Sequence, residues 1–146
     1  MNKVQIISVI NQKGGVGKTT TVINLAAGLA QQNKKILIID LDPQGNATTG
    51  LGLSNLDNSS ETIYGVLNGA KSISQVIKKT EFENLELISS NVDLSGLEVE
   101  TAGDSKRAFL LKNQLMAYLN DFGDKYAYIL IDCPPSLSLL TVMALV

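Results

Sequence analysis

The segment Lys13-Gly-Gly-Val-Gly-Lys-Thr-Thr20 constrains this chain more than any other. It lies between two elements of different period. Before it runs Val4-Gln-Ile-Ile-Ser-Val-Ile10, rich in β-branched residues, which reads as a buried strand. After it, Lys18 to Gln32 carries Val22, Leu25, Ala26 and Leu29 on one stripe and reads as a helix. The join between them is short, and its glycines let the backbone curl where other residues would clash.

A curl of this kind points successive backbone N–H groups inward. Together with the positive end of the following helix they form an anion nest, suited to phosphate. Lys18 can reach outer phosphates, and the Thr19 hydroxyl can bind a Mg²⁺ that bridges them. The candidate nucleotide-binding set is Lys13, Gly14, Gly15, Val16, Gly17, Lys18, Thr19 and Thr20. The ordinary phosphate-loop pattern has a glycine where this chain has Gln12. In its place stands an additional lysine, Lys13, ahead of paired glycines. Lys13 precedes the part of the loop that wraps the phosphates, so it can point outward to a phosphate in a neighbouring molecule. The plainer alternative is a solvated surface lysine.

The rest of the chain alternates strands with helices. Lys35 to Asp40 reads as a second buried strand, and residues 41–60 as a loop without secondary structure. Short helices are expected near Thr62–Asn68 and Ser72–Lys79, and a third strand at Leu85–Ser89. A helix is expected over Asp104–Phe122, with Leu111, Leu115, Leu119 and Phe122 on one face and Gly123 ending it. Tyr126–Asp132 reads as a fourth strand, and Ser136 opens a last helix. This order predicts an α/β fold, one mostly parallel sheet with helices on both faces. The 146 residues suit a single domain. The apolar run Leu137–Val146 has no capping signal, so the expectation is a domain that is incomplete at its C-terminal end.

Acids close two strands. Ligands of open α/β sheets bind beyond the carboxyl ends of the strands. Asp40 and Asp42 flank Leu41 and lie on one side if the strand continues, so one could join a metal shell and the other orient an attacking water. Asp132 ends the run Tyr128-Ile-Leu-Ile-Asp132, an apolar strand closing on an acid that can hold Mg²⁺, usually through water. The metal candidates are therefore Thr19, Asp40 and Asp132, and the catalytic candidates Lys13, Lys18 and Asp42. Pro134-Pro135 stiffens the strand exit and could sense the terminal phosphate. Cys133 reads as a small packing residue.

Composition excludes several classes. One cysteine and no histidine rule out a His/Cys metal cage within the chain and fit a reducing cytoplasm. A net charge of −2 with mixed signs gives no footprint for nucleic acid or anionic membrane. Val4–Ile10 is too short to span a bilayer and does not read as an export signal.

Taken together, three strings resemble the ParA/Soj chromosome- and plasmid-partitioning ATPases of the ParA/MinD superfamily of P-loop NTPases. They are Lys13–Thr20, Ile39–Gly50 with Leu-Asp-Pro-Gln-Gly-Asn-Ala-Thr-Thr-Gly, and Ile131–Leu140 with Asp-Cys-Pro-Pro-Ser-Leu; Leu87–Leu97 is also similar. The Lys13 loop is the deviant Walker A form shared with MinD and the nitrogenase iron protein, and Leu-Asp-Pro-Gln-Gly-Asn separates the chain from both. The resemblance implies binding and hydrolysis of MgATP and an ATP-dependent, face-to-face homodimer. It also implies nonspecific DNA binding by that dimer and a ParB-type partner that stimulates hydrolysis. The location it implies is cytoplasmic and nucleoid-associated, with no membrane partner. Carried over by residue, Lys18 and the Gly14–Thr20 backbone hold phosphates, Thr19 ligates Mg²⁺ with Asp132 in support, Asp42 positions the water, and Lys13 acts across the dimer. Family members are longer, and their adenine pocket and DNA-contacting residues lie mostly in the part that follows. Thr101–Arg107 matches no pattern of the family.

Other readings stay open. A MinD-like switch without DNA cargo would share the loop and add a C-terminal amphipathic helix. A redox ATPase like the nitrogenase iron protein needs two cysteines per subunit, and the chain offers Cys133 alone. As an isolated piece, half a domain with an open sheet edge would tend to aggregate.

Overall fold

The computed structural model describes residues 4–10, 16–53, 58–123, 125–135 and 138–145, with backbone only at residues 16–18 and 59. Five described strands form one sheet in the order β1-β5-β2-β4-β3. They are β1 (Gln5–Val9), β2 (Ile36–Asp40), β3 (Ile77–Lys79), β4 (Leu85–Ile88) and β5 (Tyr128–Asp132). The β1–β5, β5–β2 and β2–β4 pairs are parallel, and β3 closes the far edge antiparallel to β4. The expected α/β class with a mostly parallel sheet is the fold found.

The period of two along each strand divides the core between the faces. Ile36 and Ile38 of β2 and Leu130 of β5 meet Val22, Ala26 and Ala30 of α1 (Val16–Gln31) and Ala47 and Leu51, in and just after α2 (Asn46–Gly50). Leu37, Ile39, Ile129 and Ile131 point the other way, onto Ile63 and Val66 of α3 (Ile63–Leu67) and Leu111 and Leu115 of α6 (Leu110–Phe122). Each such buried aliphatic contributes about 1.5–3 kcal/mol relative to exposure. Covered on both faces, β2 and β5 are near-continuous apolar runs, as their sequences indicate.

Four expectations change. Among the described residues β1 is less buried than expected: it pairs with β5, and Ile6 and Ile7 are 40% and 38% exposed. An apolar run does not say whether its strand is central or marginal. Residues 41–60 are not structureless; they contain α2 and a 3₁₀ turn at Ser59–Glu61. The helix expected over Ser72–Lys79 stops early. The Ser72 N–H donates to Gln75 Oε1 and opens α4 (Ile73–Val76), then Ile77 turns extended and the Ile-Lys-Lys segment becomes the β3 edge. Lysines on an edge strand discourage pairing with other chains. The helix expected from Asp104 starts as a 3₁₀ turn at Arg107–Phe109, with α6 following at Leu110. Gly123 caps it in the right-handed region, not the left-handed one, and Phe122 is 46% exposed. The short α5 (Leu97–Glu100) precedes this segment, and α7 (Leu139–Leu145) is the last described helix. Among the described residues no helix is long and apolar enough to cross a membrane.

A polar cluster ties the starts of the central strands together. Glu86 of β4 is buried and accepts a 2.7 Å hydrogen bond from the Tyr126 hydroxyl, with the Lys35 and Lys125 ammoniums at 3.5 and 3.7 Å. Burial pushes its carboxyl up, but the Tyr126 bond and the two lysines outweigh burial and hold it below the ordinary 4.5. A depressed carboxyl gives stability above its unfolded value that is lost as pH falls. Glu86→Gln should therefore lower stability at neutral pH, by roughly 1 kcal/mol for exchanging a charged acceptor for a neutral one. It should also flatten the loss of stability below about pH 4.5. Thermal melting from pH 7 to pH 3 reads both; parallel profiles for the two proteins would reject the assignment.

Candidate functional site

The carboxyl ends of three strands stand side by side. Val9 of β1 and Asp40 of β2 are both in register with Asp132 of β5, and the ladder continues as Leu41 N–H donates to the Asp132 carbonyl. The chain leaves β1, passes the glycine segment and enters α1 at Val16, so the positive end of a 16-residue helix opens at this edge. Its first turn contains no acid to neutralise that end. Lys13, Gly14 and Gly15 lie outside the described residues, as do the side chains of Val16 and Lys18. Gly17 is described as backbone in the first turn of α1, and Thr20 is exposed in the next.

Two expected metal-site residues come together. Thr19 is buried, and its Oγ1 donates to Oδ2 of Asp132 at 3.1 Å. Their partnership spans 113 positions of sequence. It joins the first turn of α1 to the tip of β5. The oxygens are a hydroxyl and a carboxylate, donors that suit a hard cation. Among the described residues no group of three or more His, Cys, Asp or Glu converges as a cage. A cation here would take further ligands from phosphate and water, as Mg²⁺ usually does.

Asp40, the third expected metal-site residue, stands beside Asp132 at the end of β2. It is fully buried, and both its oxygens are committed to the chain. Oδ2 accepts the Thr48 N–H at 2.9 Å and the Thr48 hydroxyl at 2.7 Å, while Oδ1 accepts the Asp42 N–H at 3.1 Å. Burial, with a smaller push from Asp132, raises its carboxyl to about 7 against the Thr48 and Asp42 hydrogen bonds that lower it. These bonds make Asp40 an anchor for the following loop.

Asp40 and Asp42 do not continue along one strand face. β2 ends at Asp40, and the chain turns. Gln44 N–H donates to Asp42 Oδ1 at 3.0 Å, a local turn that orients the carboxylate. Gly45 follows at φ +66°, a left-handed conformation that directs the chain into α2 and that a Cβ would strain. Asp42 is 3% exposed and lines a cavity of about 720 Å³ with Pro43, Val92, Leu94, Pro134 and Leu139. The expected Pro134-Pro135 pair therefore borders the same space as Asp42. Cys133 is fully buried within the core cluster, its thiol directed at the Ile131 carbonyl at 3.8 Å.

Sequence reading misses Thr48 and Ser90. Thr48 lies in the Asn-Ala-Thr-Thr-Gly string that marks the resemblance, but nothing local gives it a role. Ser90 carries no motif signal, and its bonds to Thr48 and Asp42 cross 42 and 48 positions of sequence.

Residues 4–146 match the family model described as an AAA domain. The chromosome partitioning protein ParA of Caulobacter vibrioides is 44% identical over 144 residues, covering 99% of this chain and 53% of that protein. The sporulation initiation inhibitor protein Soj of Bacillus subtilis is 46% identical over 141 residues, covering 97% and 54%. Among solved structures, cobyrinic acid a,c-diamide synthase from Mycobacterium smegmatis with bound ATP analog and magnesium superimposes with a TM-score of 0.87 at 37% identity, covering 97% of this chain and 56% of that one. The chain spans about half the length of the curated relatives it matches. With a family model matched over residues 4–146 and relatives 44% and 46% identical, the chain belongs to the AAA-domain family, with a sequence of the ParA/Soj type.

Proposed function

We propose that this chain forms the nucleotide-binding part of a ParA-type ATPase that dimerises around MgATP and segregates DNA with a ParB-type partner. The observation that carries the reading is the Thr19–Asp132 hydrogen bond, at the start of α1 and the end of β5. It joins the hydroxyl that follows the loop lysine to the acid that closes an apolar strand, which is where a P-loop enzyme places its Mg²⁺. The relatives add the ParA and Soj names, and the Mycobacterium protein adds an ATP analog and magnesium.

In this reading Gly14–Thr20 cradle the phosphates and Lys18 pairs with the outer ones. Thr19 and Asp132 hold Mg²⁺, which neutralises phosphate charge when bound. Asp42 orients the attacking water, and Lys13 reaches the nucleotide of the second subunit. The dimer would bind DNA nonspecifically on the nucleoid, in the cytoplasm. A nucleotide-gated switch without DNA cargo would use the same residues, and only its partner would differ.

Sedimentation of the protein as its gene encodes it, with and without MgATP, tests the reading. MgATP should shift it from monomer to dimer, and Lys13→Ala should bind nucleotide yet sediment as a monomer. A Lys13→Ala protein that dimerises and turns over normally removes the role across the dimer. Absence of any magnesium-dependent nucleotide binding by the unaltered protein would overturn the whole reading.

A further inference from the structure

We propose that Thr48 and Ser90 are positioning residues for hydrolysis, holding the Asp42 loop through a closed ring of buried hydrogen bonds. The inference rests on the assignment of Asp42 to the attacking water. The ring starts at Asp40, whose Oδ2 accepts both the N–H and the hydroxyl of Thr48. Thr48 Oγ1 in turn accepts the Ser90 N–H at 3.1 Å. The Ser90 hydroxyl donates to the Asp42 carbonyl at 2.7 Å, and the Asp42 N–H returns to Asp40 Oδ1. Asp40, Thr48 and Ser90 are fully buried, and Asp42 nearly so.

Three separate pieces of the fold meet in this ring: the end of β2, α2, and the segment just after β4. The Thr48 hydroxyl serves as donor to Asp40 and acceptor from Ser90, so one side chain joins the end of β2 to a residue 42 positions beyond Thr48. The Asp42 backbone is held from both sides, its N–H by Asp40 and its C=O by Ser90. Gly45 N–H donates to the same carbonyl at 2.8 Å. Its carboxylate is then turned by Gln44. Buried networks whose members are all paired specify one geometry. The place of the Asp42 backbone is consequently set by Asp40 and Ser90, which Thr48 joins.

The test uses Thr48→Val, which keeps the branched shape and removes the hydroxyl, with Thr48→Ser as the rescue and Ser90→Ala as an independent cut of the ring. Affinity for a fluorescent ATP analog with Mg²⁺ and single-turnover hydrolysis are measured on the same samples, with circular dichroism to verify folding. A misplacement of about 1 Å costs on the order of 10²-fold in rate. We expect Thr48→Val to lose roughly 10- to 100-fold in kcat while nucleotide affinity stays within about 3-fold. Ser90→Ala should fall between Thr48→Val and the unaltered protein, and Thr48→Ser should recover most of the rate. Should Thr48→Val fail to fold, Ser90→Ala carries the same comparison. Unchanged kcat in the folded variants, with the unaltered protein binding and hydrolysing ATP, overturns the inference alone. Parallel loss of affinity, rate and helix content would assign these residues a purely structural role and also overturn it. An unaltered protein that binds no MgATP overturns the functional reading beneath it.

Discussion

Lys18→Ala should abolish nucleotide binding and, with it, dimerisation and turnover. Lys18 stands in the first turn of α1, at the end of a helix whose opening turn carries no acid. Backbone N–H groups and the helix end attract phosphate, but they do not supply a full charge. Lysine does, as a point charge on the outer phosphates. A hydrogen bond to a charged group contributes about 1.5–3 kcal/mol, and removing the lysine gives up more than one of them. Affinity for ATP with Mg²⁺ should fall by roughly 100-fold or more, which corresponds to about 2.7 kcal/mol. Titration calorimetry of the protein as its gene encodes it measures the loss. A variant whose affinity stays within about 3-fold of the original would show that the loop lysine does not hold the phosphates.

Asp42→Ala should separate binding from hydrolysis. The Asp42 backbone, not its side chain, takes part in the ring with Asp40 and Ser90. Alanine keeps that N–H and that carbonyl. The bond from Gln44 N–H to Oδ1 is lost, and it is local. The variant should therefore fold, bind MgATP within a few-fold of the original and dimerise. Its hydrolysis rate should drop by roughly 10²- to 10³-fold, within the range for loss of a positioned acid–base group. Dimers would accumulate with ATP and persist, since the step that releases them is blocked. Sedimentation and phosphate release, measured together, give the result. Normal phosphate release would show that Asp42 does not orient the water.

The two acids illustrate how far sequence carries the site. Asp40 and Asp42 are indistinguishable in the string Ile39-Asp-Leu-Asp-Pro43: both close a strand at the edge where ligands bind. Their surroundings divide because β2 ends at Asp40 and the chain turns at once, which folds Asp40 under α2 and leaves Asp42 at the cavity. No local pattern records this, because the deciding donors come from Thr48 and Ser90. Glu86 is similar. In sequence it is a charged residue in an apolar strand, and only distant partners, Tyr126, Lys125 and Lys35, make its burial tolerable.

The elements themselves are legible in the chain. β2 and β5 declare themselves by unbroken aliphatic runs and α1 by Val22 and Ala26 of its stripe, although Leu25 of that stripe is 43% exposed, because each depends on the conformations and periods of neighbouring residues. Asp132 is legible for the same reason, as the acid that ends such a run. Tertiary structure alone decides that β5 sits between β1 and β2, that the Ile-Lys-Lys segment after α4 pairs antiparallel with β4, and that Thr19 reaches Asp132. Local conformation is set by near neighbours and therefore written in short strings. Strand order and buried polar pairing join residues tens of positions apart, and they take shape only when the two faces of the sheet are filled.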